Sequence, residues 1–411
     1  MEDVFKKVLS RVNPTAEEIR IVSNIEKEII SKLEKESYSN NLDAEIVLGG
    51  SASRGTFMSG NHDLDFFFRF KNEDDIKNYY RNIVEKCFEN LVLMHGTRDY
   101  FKFKYKGYEI EVIPSVKYDS PSKAKNTADI SFFHINYLRK KFEKNPEMRK
   151  EVLLLKQFLK ANELYGAESA KNGFSGYASE LLIVYFKTFK NLMDFFENNK
   201  PKIILDIEKY YKDDKDVLKH LGETKSNNPL IIVDPLLPKR NAAASVSYDI
   251  FSNFVFRIRQ FLRQPLIKLF NTRGLSISLV LERSNRRGTK VYDFKLKPDR
   301  NEYDIFKAKL LSKMKQLKKE LETEGWLVYS FGICDEKIAY FELETIKNSK
   351  AKKHFGPFVW ADAKDFDKFF QKWQVNALGK PYVENNKLIV DVFRKEDIEQ
   401  SIKNYLKDYL L

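Results

Sequence analysis

Hydrophobic and polar positions alternate along this chain in two periods. Behind Pro14, the run TAEE offers Thr15 as a helix cap and Glu18 three residues on, the pattern of a capping box. Val22, Ile25, Ile29 and Leu33 follow at helical spacing, so a long amphipathic helix opens the chain. The period then shortens to two. AEIVLGG (44–50) reads as a strand ending in a flexible turn, and DLDFFFRF (63–70) and YEIEVIP (108–114) read as further strands. From Asn145-Pro146, a helix start, Met148, Val152, Leu155 and Leu159 form one apolar stripe. SGYASELLIVYFKTFKNLM (175–193) is apolar nearly all round, which predicts one helix at the centre of a helical layer.

The polar stretch from Glu208 to Asn228 reads as surface, ahead of PLIIVDP (229–235), the loop LLPKRN and a helix over SYDIFSNFVFRIRQFL (247–262). The last third alternates again. LSISLVLE (275–282) and VYDFKLKP (291–298) read as strands, and a Lys-rich helix runs from Tyr303 to Thr323, closed by Gly325. WLVYSFGI and KIAYFELE are strands; AKDFDKFFQKW (363–373) is a short helix, KLIVDVF (387–393) a strand, and a helix ends the chain. The pattern predicts an α+β multidomain protein with borders near 138 and 265.

A length of 411 residues exceeds what one growing core serves, so two to four domains are expected. Hydrophobic content of 43% beside 32% charged residues fits a folded globular protein. Lys and Arg outnumber Asp and Glu by 72 to 59, a formal charge of +13 that favours a polyanionic partner, nucleic acid or an anionic membrane surface. The N-terminal residues lack a signal-peptide block, and the longest apolar run, LLIVYF (181–186), is too short to span a bilayer. Cys87 and Cys334 stand far apart with no metal-like spacing, as expected for free, buried thiols in a reducing compartment. A cytoplasmic protein without a membrane partner is therefore expected.

The chemistry concentrates at GGSASRGTFMSGNHDLDFFFRF (49–70). In a strand, residues two apart share a face, so Asp63 and Asp65 project together while Leu64, Phe66, Phe68 and Phe70 enter the core. Adjacent carboxylates repel unless cations neutralise them, and Mg²⁺ is usually held by one or two carboxylates together with substrate phosphates. Gly49-Gly50 lets backbone approach a phosphate closely, Ser51 offers a hydroxyl, and Arg54 can meet a triphosphate oxygen. Glu109 and Glu111 share one face of the later strand, and periodicity does not separate them as a third acid.

A strand-end Gly-Gly-Ser, then Asp-hydrophobic-Asp, then a single acid on a later strand resembles the nucleotidyltransferase superfamily that includes DNA polymerase beta and the poly(A) polymerases. Beyond that, LLKQFLKANELYGAE, GFSGYASELLIVYF and VDPLLPKRNAAASVS (within 154–247) are similar to the archaeal-type, class I CCA-adding enzymes, which are tRNA nucleotidyltransferases. HFGPFVW (354–360) and GKPYVENNKLIVDV (379–392) extend the resemblance more loosely to the C-terminal end.

The resemblance implies a polymerase beta-like catalytic head with a mixed sheet (1–137), a mainly helical neck that recognises the nucleotide (138–264) and an α+β body and tail that bind tRNA (265–411). It makes Asp63 and Asp65 metal-bridging carboxylates and Glu111 the third. It places Ser51, Arg54, His134, Lys156 and Tyr165 at the triphosphate and sugar, and Arg240 at the Watson-Crick edge of the incoming base. Where the family usually has Glu first and Asp third, this chain has Asp63 and Glu111. By periodicity alone, Lys156 reads as a solvated lysine, Tyr165 as a packing residue at a helix end and His134 as a core histidine. The implied partners are tRNA, gripped at acceptor stem and elbow, and CTP and ATP, with Mg²⁺ as cofactor; a homodimer is left open. Clustered charges at Arg286-Arg287 and Lys290, in an expected hairpin turn, and at Lys347, Lys350, Lys352 and Lys353 suit phosphates of a folded RNA. The expected reaction is addition of C, C and A to a tRNA 3′ end; a poly(A)-adding enzyme is the alternative.

Overall fold

The computed structural model describes residues 1–168, 171–222, 227–272, 274–297, 303–323, 326–344, 351–393 and 398–411. Two compact units make up the chain, Met1–Thr272 and Arg273–Leu411.

In the first unit, α1 (Glu2–Val12) leads to α2 (Ala16–Ser39). The capping box forms: Glu18 N–H donates to Thr15 Oγ1 at 3.1 Å, and Thr15 N–H donates to the Glu18 carboxylate at 2.7 Å. Val22, Ile25, Ile29 and Leu33 are buried against a five-stranded sheet of order β1–β2–β5–β4–β3. Its strands are β1 (Ala44–Leu48), β2 (Asp63–Phe70), β3 (Val92–Met94), β4 (Tyr100–Tyr105) and β5 (Tyr108–Val116). β2 and β5 run parallel and the other pairs antiparallel, so the sheet is mixed as expected. Leu64, Phe66, Phe68 and Phe70 are buried on one face with Ile110 and Val112. α3 (Arg81–Cys87) follows a π-helical turn, Ile76–Tyr80. The Tyr80 hydroxyl there donates to Val112 O at 2.5 Å and accepts from Phe101 N–H at 2.9 Å, pinning β4 to β5. Cys87 is half-buried rather than buried, and Cys334 is buried; both are free.

α4 (Thr127–Lys144) is a helix in a stretch to which the sequence pattern assigned no element. Asn126 caps it by accepting from Asp129 N–H at 3.1 Å, and Ile130, His134, Leu138 and Phe142 are buried at intervals of four. The border expected at 137/138 falls inside it. α5 (Met148–Ala161), α6 (Gly176–Phe186), α7 (Phe189–Asn198) and α9 (Tyr248–Arg263) bury an aromatic core that includes Phe158, Phe174, Phe189, Phe196, Phe254 and Phe261. The single helix expected over 175–193 is two. Lys187 takes a φ of 69°, and Thr188 caps the second helix by accepting from Asn191 N–H at 3.1 Å. Between α7 and α9, β6 (Ile203–Asp206) and β7 (Leu230–Val233) pair in parallel, with α8 (Asp214–Leu221) inside the stretch expected to be plain surface.

In the second unit, residues 277–287 are helical (α10, Ile277–Arg287) where a strand was expected over 275–282. Ser276 caps the helix by accepting from Leu279 N–H, and Gly288, at φ 67°, ends it, which overrides the strand-like Leu-Ser-Ile-Ser alternation. β8 (Thr289–Lys295), β9 (Val328–Cys334) and β10 (Ile338–Glu344) form an antiparallel sheet of order β8–β10–β9. α11 (Tyr303–Thr323) buries Leu310, Met314, Leu317 and Leu321 in its core; Gly325 lies outside the described residues. β11 (Ala351–Phe358), β12 (Tyr382–Glu384) and β13 (Lys387–Phe393) make a second antiparallel sheet with α12 (Ala363–Asn376), and α13 (Ile398–Leu406) joins the core of the first. No helix among the described residues is long and apolar enough to cross a membrane.

Candidate active site

Strand register assembles the acids. In the parallel β2–β5 pair, Asp63 stands opposite Glu109 and Asp65 opposite Glu111. Because Leu64, Phe66, Ile110 and Val112 occupy the core face, the four carboxylates share the other. β4 adds a cation that sequence reading missed. Lys102, paired with Glu111, brings its Nζ to 2.7 Å from Glu109 Oε2 and 3.7 Å from Glu111 Oε1. Negative charge still dominates. Burial pushes the Asp65 carboxyl above its ordinary range and Asp63 adds to this, against Arg54 and Lys102. Glu111 is raised by burial first, then by Asp65.

Among the described residues, no three His, Cys, Asp or Glu side chains are gathered closely enough to hold a metal ion by themselves. Asp63, Asp65 and Glu111 therefore form an acidic face rather than a closed cage, and Glu111 is paired with Lys102. Such a face fits a hard divalent cation that takes the rest of its ligands from phosphate and water. Burial first and mutual repulsion second raise these carboxyls, and a bound cation would relieve the repulsion.

The turn after β1 is shaped to lie against this face. Gly49 N–H donates to Asp65 O at 2.7 Å. A Cβ on Gly49 would overlap the Phe67 ring, and one on Gly50, at φ +56°, would overlap the Asp65 carboxylate. Both glycines are thus steric requirements. Ser51 then opens the 3₁₀ turn Ala52–Arg54 with no cap bond from its side chain.

Arg54 and Lys156 converge on a residue that sequence reading did not single out, Glu180 of α6. Arg54 Nε lies 2.8 Å from Glu180 Oε2, and Lys156 Nζ lies 2.9 Å from Glu180 Oε1. The Thr56 hydroxyl donates to Glu180 Oε1 at 2.6 Å. Lys156, expected from periodicity to be solvated, is only 3% exposed, and its Nζ also donates to Thr56 O at 3.1 Å. Burial alone would raise Glu180, but Arg54, Lys156 and Thr56 hold it down to about 2. Burial pushes Lys156 below its ordinary range, with Glu180 opposing. One acid inside an otherwise apolar helix is a legible signal: a buried carboxylate requires cations.

Tyr165 packs beside this cluster. It bridges to Phe174, and burial, reinforced by Glu180, raises its hydroxyl to about 12. A Cβ on Gly176 would come within 2.9 Å of that hydroxyl oxygen. Lys160 Nζ sits over the Tyr165 ring at 5.4 Å and feels the charge of Asp63, which links α5 to the acidic face.

His134 and Arg240 meet at a second unforeseen carboxylate, Asp234, which follows β7 and has no exposure. His134 Nε2 lies 3.2 Å and Arg240 Nη1 2.5 Å from Asp234 Oδ2. Tyr177 donates its hydroxyl to Oδ1 at 3.3 Å, and its ring lies 4.2 Å from that of His134. Burial alone would raise Asp234, but His134, the Leu236 N–H and Arg240 hold it below the usual carboxylate range. Arg240 also lines an open cavity of about 270 Å³ whose wall includes Ala167 and Ser175.

The basic residues of the second unit divide. Arg287 is not in a hairpin turn. It ends α10 and binds buried Glu342 through two contacts, Nε to Oε1 at 2.8 Å and Nη2 to Oε2 at 2.6 Å, a structural commitment. Arg286 pairs with Glu282 on the surface, Lys290 covers the Tyr292 ring, and Lys353 pairs with Glu384 at 2.5 Å. Lys347 and Lys350 lie outside the described residues, and Lys352 falls in β11.

Three family profiles tile the chain: the nucleotidyltransferase domain over residues 26–130, the second domain of tRNA nucleotidyltransferase over 150–271, and the C-terminal domain of CCA-adding enzymes over 287–408. The CCA-adding enzyme of Picrophilus torridus is 32% identical over 397 residues, 94% of this chain and 86% of that one. That of Methanosarcina barkeri is 31% identical over 410 residues, 96% and 87%. That of Nanoarchaeum equitans is 30% identical over 347 residues, 84% of each. Among solved structures, a cytoplasmic RNA terminal U-transferase superposes with a TM-score of 0.52 at 14% identity, covering 67% of this chain and all of that one, a likeness of fold alone. With relatives of that identity aligned along most of both chains, and with its catalytic, second and C-terminal regions each matched, this chain belongs to the family of CCA-adding enzymes.

Proposed function

We infer that the protein adds C, C and A, in that order and without a nucleic-acid template, to the 3′ end of tRNA, using CTP and ATP and releasing pyrophosphate. The observation that carries the chemistry is the β2–β5 register. It sets Asp63 and Asp65 beside Glu111 on one open face, with a glycine turn fitted against Asp65. That register also favours Glu111 over Glu109 as the third acid, since Glu111 is the one opposite Asp65 and the less exposed of the two, at 25% against 39%.

In the reaction, the 3′-hydroxyl oxygen of tRNA bonds to the α-phosphorus as the bond to the bridging oxygen of the β-phosphate breaks. Asp63 and Asp65 would hold Mg²⁺, with Glu111 alongside; when bound, the cation supplies charge neutralisation for the triphosphate and a more acidic 3′-hydroxyl. Glu111, opposite Asp65 on the open face, is placed to take up the hydroxyl proton. Ser51 and the glycine turn receive the triphosphate. Arg54 and Lys156 stand behind them, and Glu180 offsets one of their two charges in the free protein. Tyr165 and His134 border the sugar, and Arg240 reads the base. Swapping the family's usual first Glu and third Asp shortens one arm of the acid set and lengthens the other, and a slight shift between β2 and β5 would preserve the reach across the pair. The lysines of the second unit track the tRNA backbone, and the enzyme acts in the cytoplasm.

The alternative is a tail-adding RNA nucleotidyltransferase, whose fold the terminal U-transferase shares. A tRNA ending at its discriminator base, supplied with CTP, ATP or both, separates the two. The inferred enzyme adds two C with CTP alone and stops at three nucleotides with both; an extending tail with ATP alone would contradict it.

A further inference from the structure

Arg240 is fastened at one end and open at the other. Its side chain is 40% exposed and lines the cavity of about 270 Å³, while Nη1 is fixed on Asp234 Oδ2 at 2.5 Å. A guanidinium carries five N–H donors in a rigid fork, so fixing one nitrogen orients the rest. Asp234 is itself immobilised. Its Oδ1 accepts from the N–H groups of Leu236 at 2.9 Å and Leu237 at 3.3 Å and from the Tyr177 hydroxyl at 3.3 Å. Its own N–H donates to Arg240 O at 3.0 Å, closing the loop 234–240 on itself. His134, from α4, reaches the oxygen that holds Arg240, at 3.2 Å. The loop 234–240 and Tyr177 of α6 therefore fix one guanidinium through one fully buried carboxylate, and His134 lies beside it without hydrogen-bond geometry at Nε2.

We propose that Asp234 is a positioning residue that sets the Arg240 guanidinium for reading the Watson-Crick edge of the incoming nucleotide, so that nucleotide selectivity depends on a residue that does not touch the base. This rests on the reading of Arg240 as the base-reading group. Arg240 would otherwise sample many rotamers, and a base-edge donor set of variable geometry discriminates poorly between bases.

The test uses the full-length enzyme with tRNA lacking CCA and with tRNA lacking only the terminal A. It measures kcat and KM for CTP against UTP on the first and for ATP against GTP on the second. Asp234→Asn keeps the size of the side chain and loses its charge. Its ratio of correct to incorrect kcat/KM should fall on the order of tenfold, the equivalent of one charge-assisted hydrogen bond, mainly through KM of the correct nucleotide, with tRNA affinity unchanged. Adding Asp234→Asn to Arg240→Ala should lower that ratio no further.

A loss shared equally by correct and incorrect nucleotides, or an equal further loss in the double variant, would make Asp234 a structural staple and overturn the proposal. If Arg240→Ala keeps normal selectivity, base reading by Arg240 and this proposal fall together. If Arg240→Ala loses selectivity and Asp234→Asn does not, the proposal alone falls. Should Asp234→Asn not fold, Tyr177→Phe removes a single contact to Asp234. It should lower the same ratio about twofold; an unchanged ratio would overturn the proposal.

Discussion

Asp65 and Glu111 on the sheet and Glu180 in the helical layer are carboxylates of one compact unit, yet their surroundings push them in opposite directions. The sheet acids are raised by burial and by one another, with Lys102 countering only in part. Glu180, with no exposure at all, is brought down to about 2 because Arg54, Lys156 and Thr56 surround it. Burial alone thus does not set the character of an acid; the balance of nearby charge does. The face left short of positive charge is the one that can accept a cation and a triphosphate. The cluster supplied with enough positive charge is part of the scaffold, and its Arg54 lies close enough to Asp65 to oppose the rise of that carboxyl.

The largest expected effect comes from removing an acid on the sheet. Asp63→Ala should lower the rate of nucleotide addition by about a thousandfold, the loss of several kcal/mol of charge stabilisation, while tRNA binding, followed by filter retention, stays unchanged. Removing the acid in the helical layer should act on folding instead. Glu180→Gln leaves Arg54 and Lys156 without their counter-charge and should cost about 3–5 kcal/mol in denaturant unfolding.

The same pair separates in pH. Glu180 has its folded value below its ordinary 4.5, so its contribution is complete above that pH and is lost as the pH falls towards about 2. The loss amounts to roughly 3 kcal/mol, and an unfolding series through that window should be flatter for Glu180→Gln. Asp65 and Glu111 have raised folded values, so they work in the reverse sense. As the pH falls through those values they take up protons in the folded state first, and the repulsion on the sheet face is relieved. The smallest effect is expected at Lys102. Lys102→Met removes a competing cation from Glu111 and should tighten Mn²⁺ binding by a few-fold in a paramagnetic titration, since a part-exposed ion pair is worth about 1 kcal/mol or less.

Local rules carried most of the architecture. Thr15 and Glu18 announced α2, and the alternation in DLDFFFRF put Asp63 and Asp65 on one face before any strand partner was known. What failed was weaker punctuation. Lys187 at a positive φ of 69° splits one apolar run into α6 and α7, a conformation the residue type does not advertise. Ser276 and Gly288 mark α10 as a helix, but the alternating residues after Ser276 spoke for a strand.

At the site, the shared face of Asp63 and Asp65 and the glycine turn were legible because their placement depends on local spacing. The positions of Glu109 opposite Asp63 and Glu111 opposite Asp65 waited on the register with β2, and Lys102 on its pairing with β5. Glu180 lies 126 residues from Arg54, and Asp234 lies 100 residues from His134 though only six from Arg240, so only the fold brings the distant pairs together.

One measurement bears on the acidic face most directly: single-turnover addition of one C by Asp65→Asn, at saturating tRNA and CTP with Mg²⁺. The variant keeps the shape of the side chain and its fit against Gly50, and removes only charge. The expected result is normal tRNA binding with almost no product in the time the unaltered enzyme completes its turnover. Product formed at a near-normal rate would contradict it.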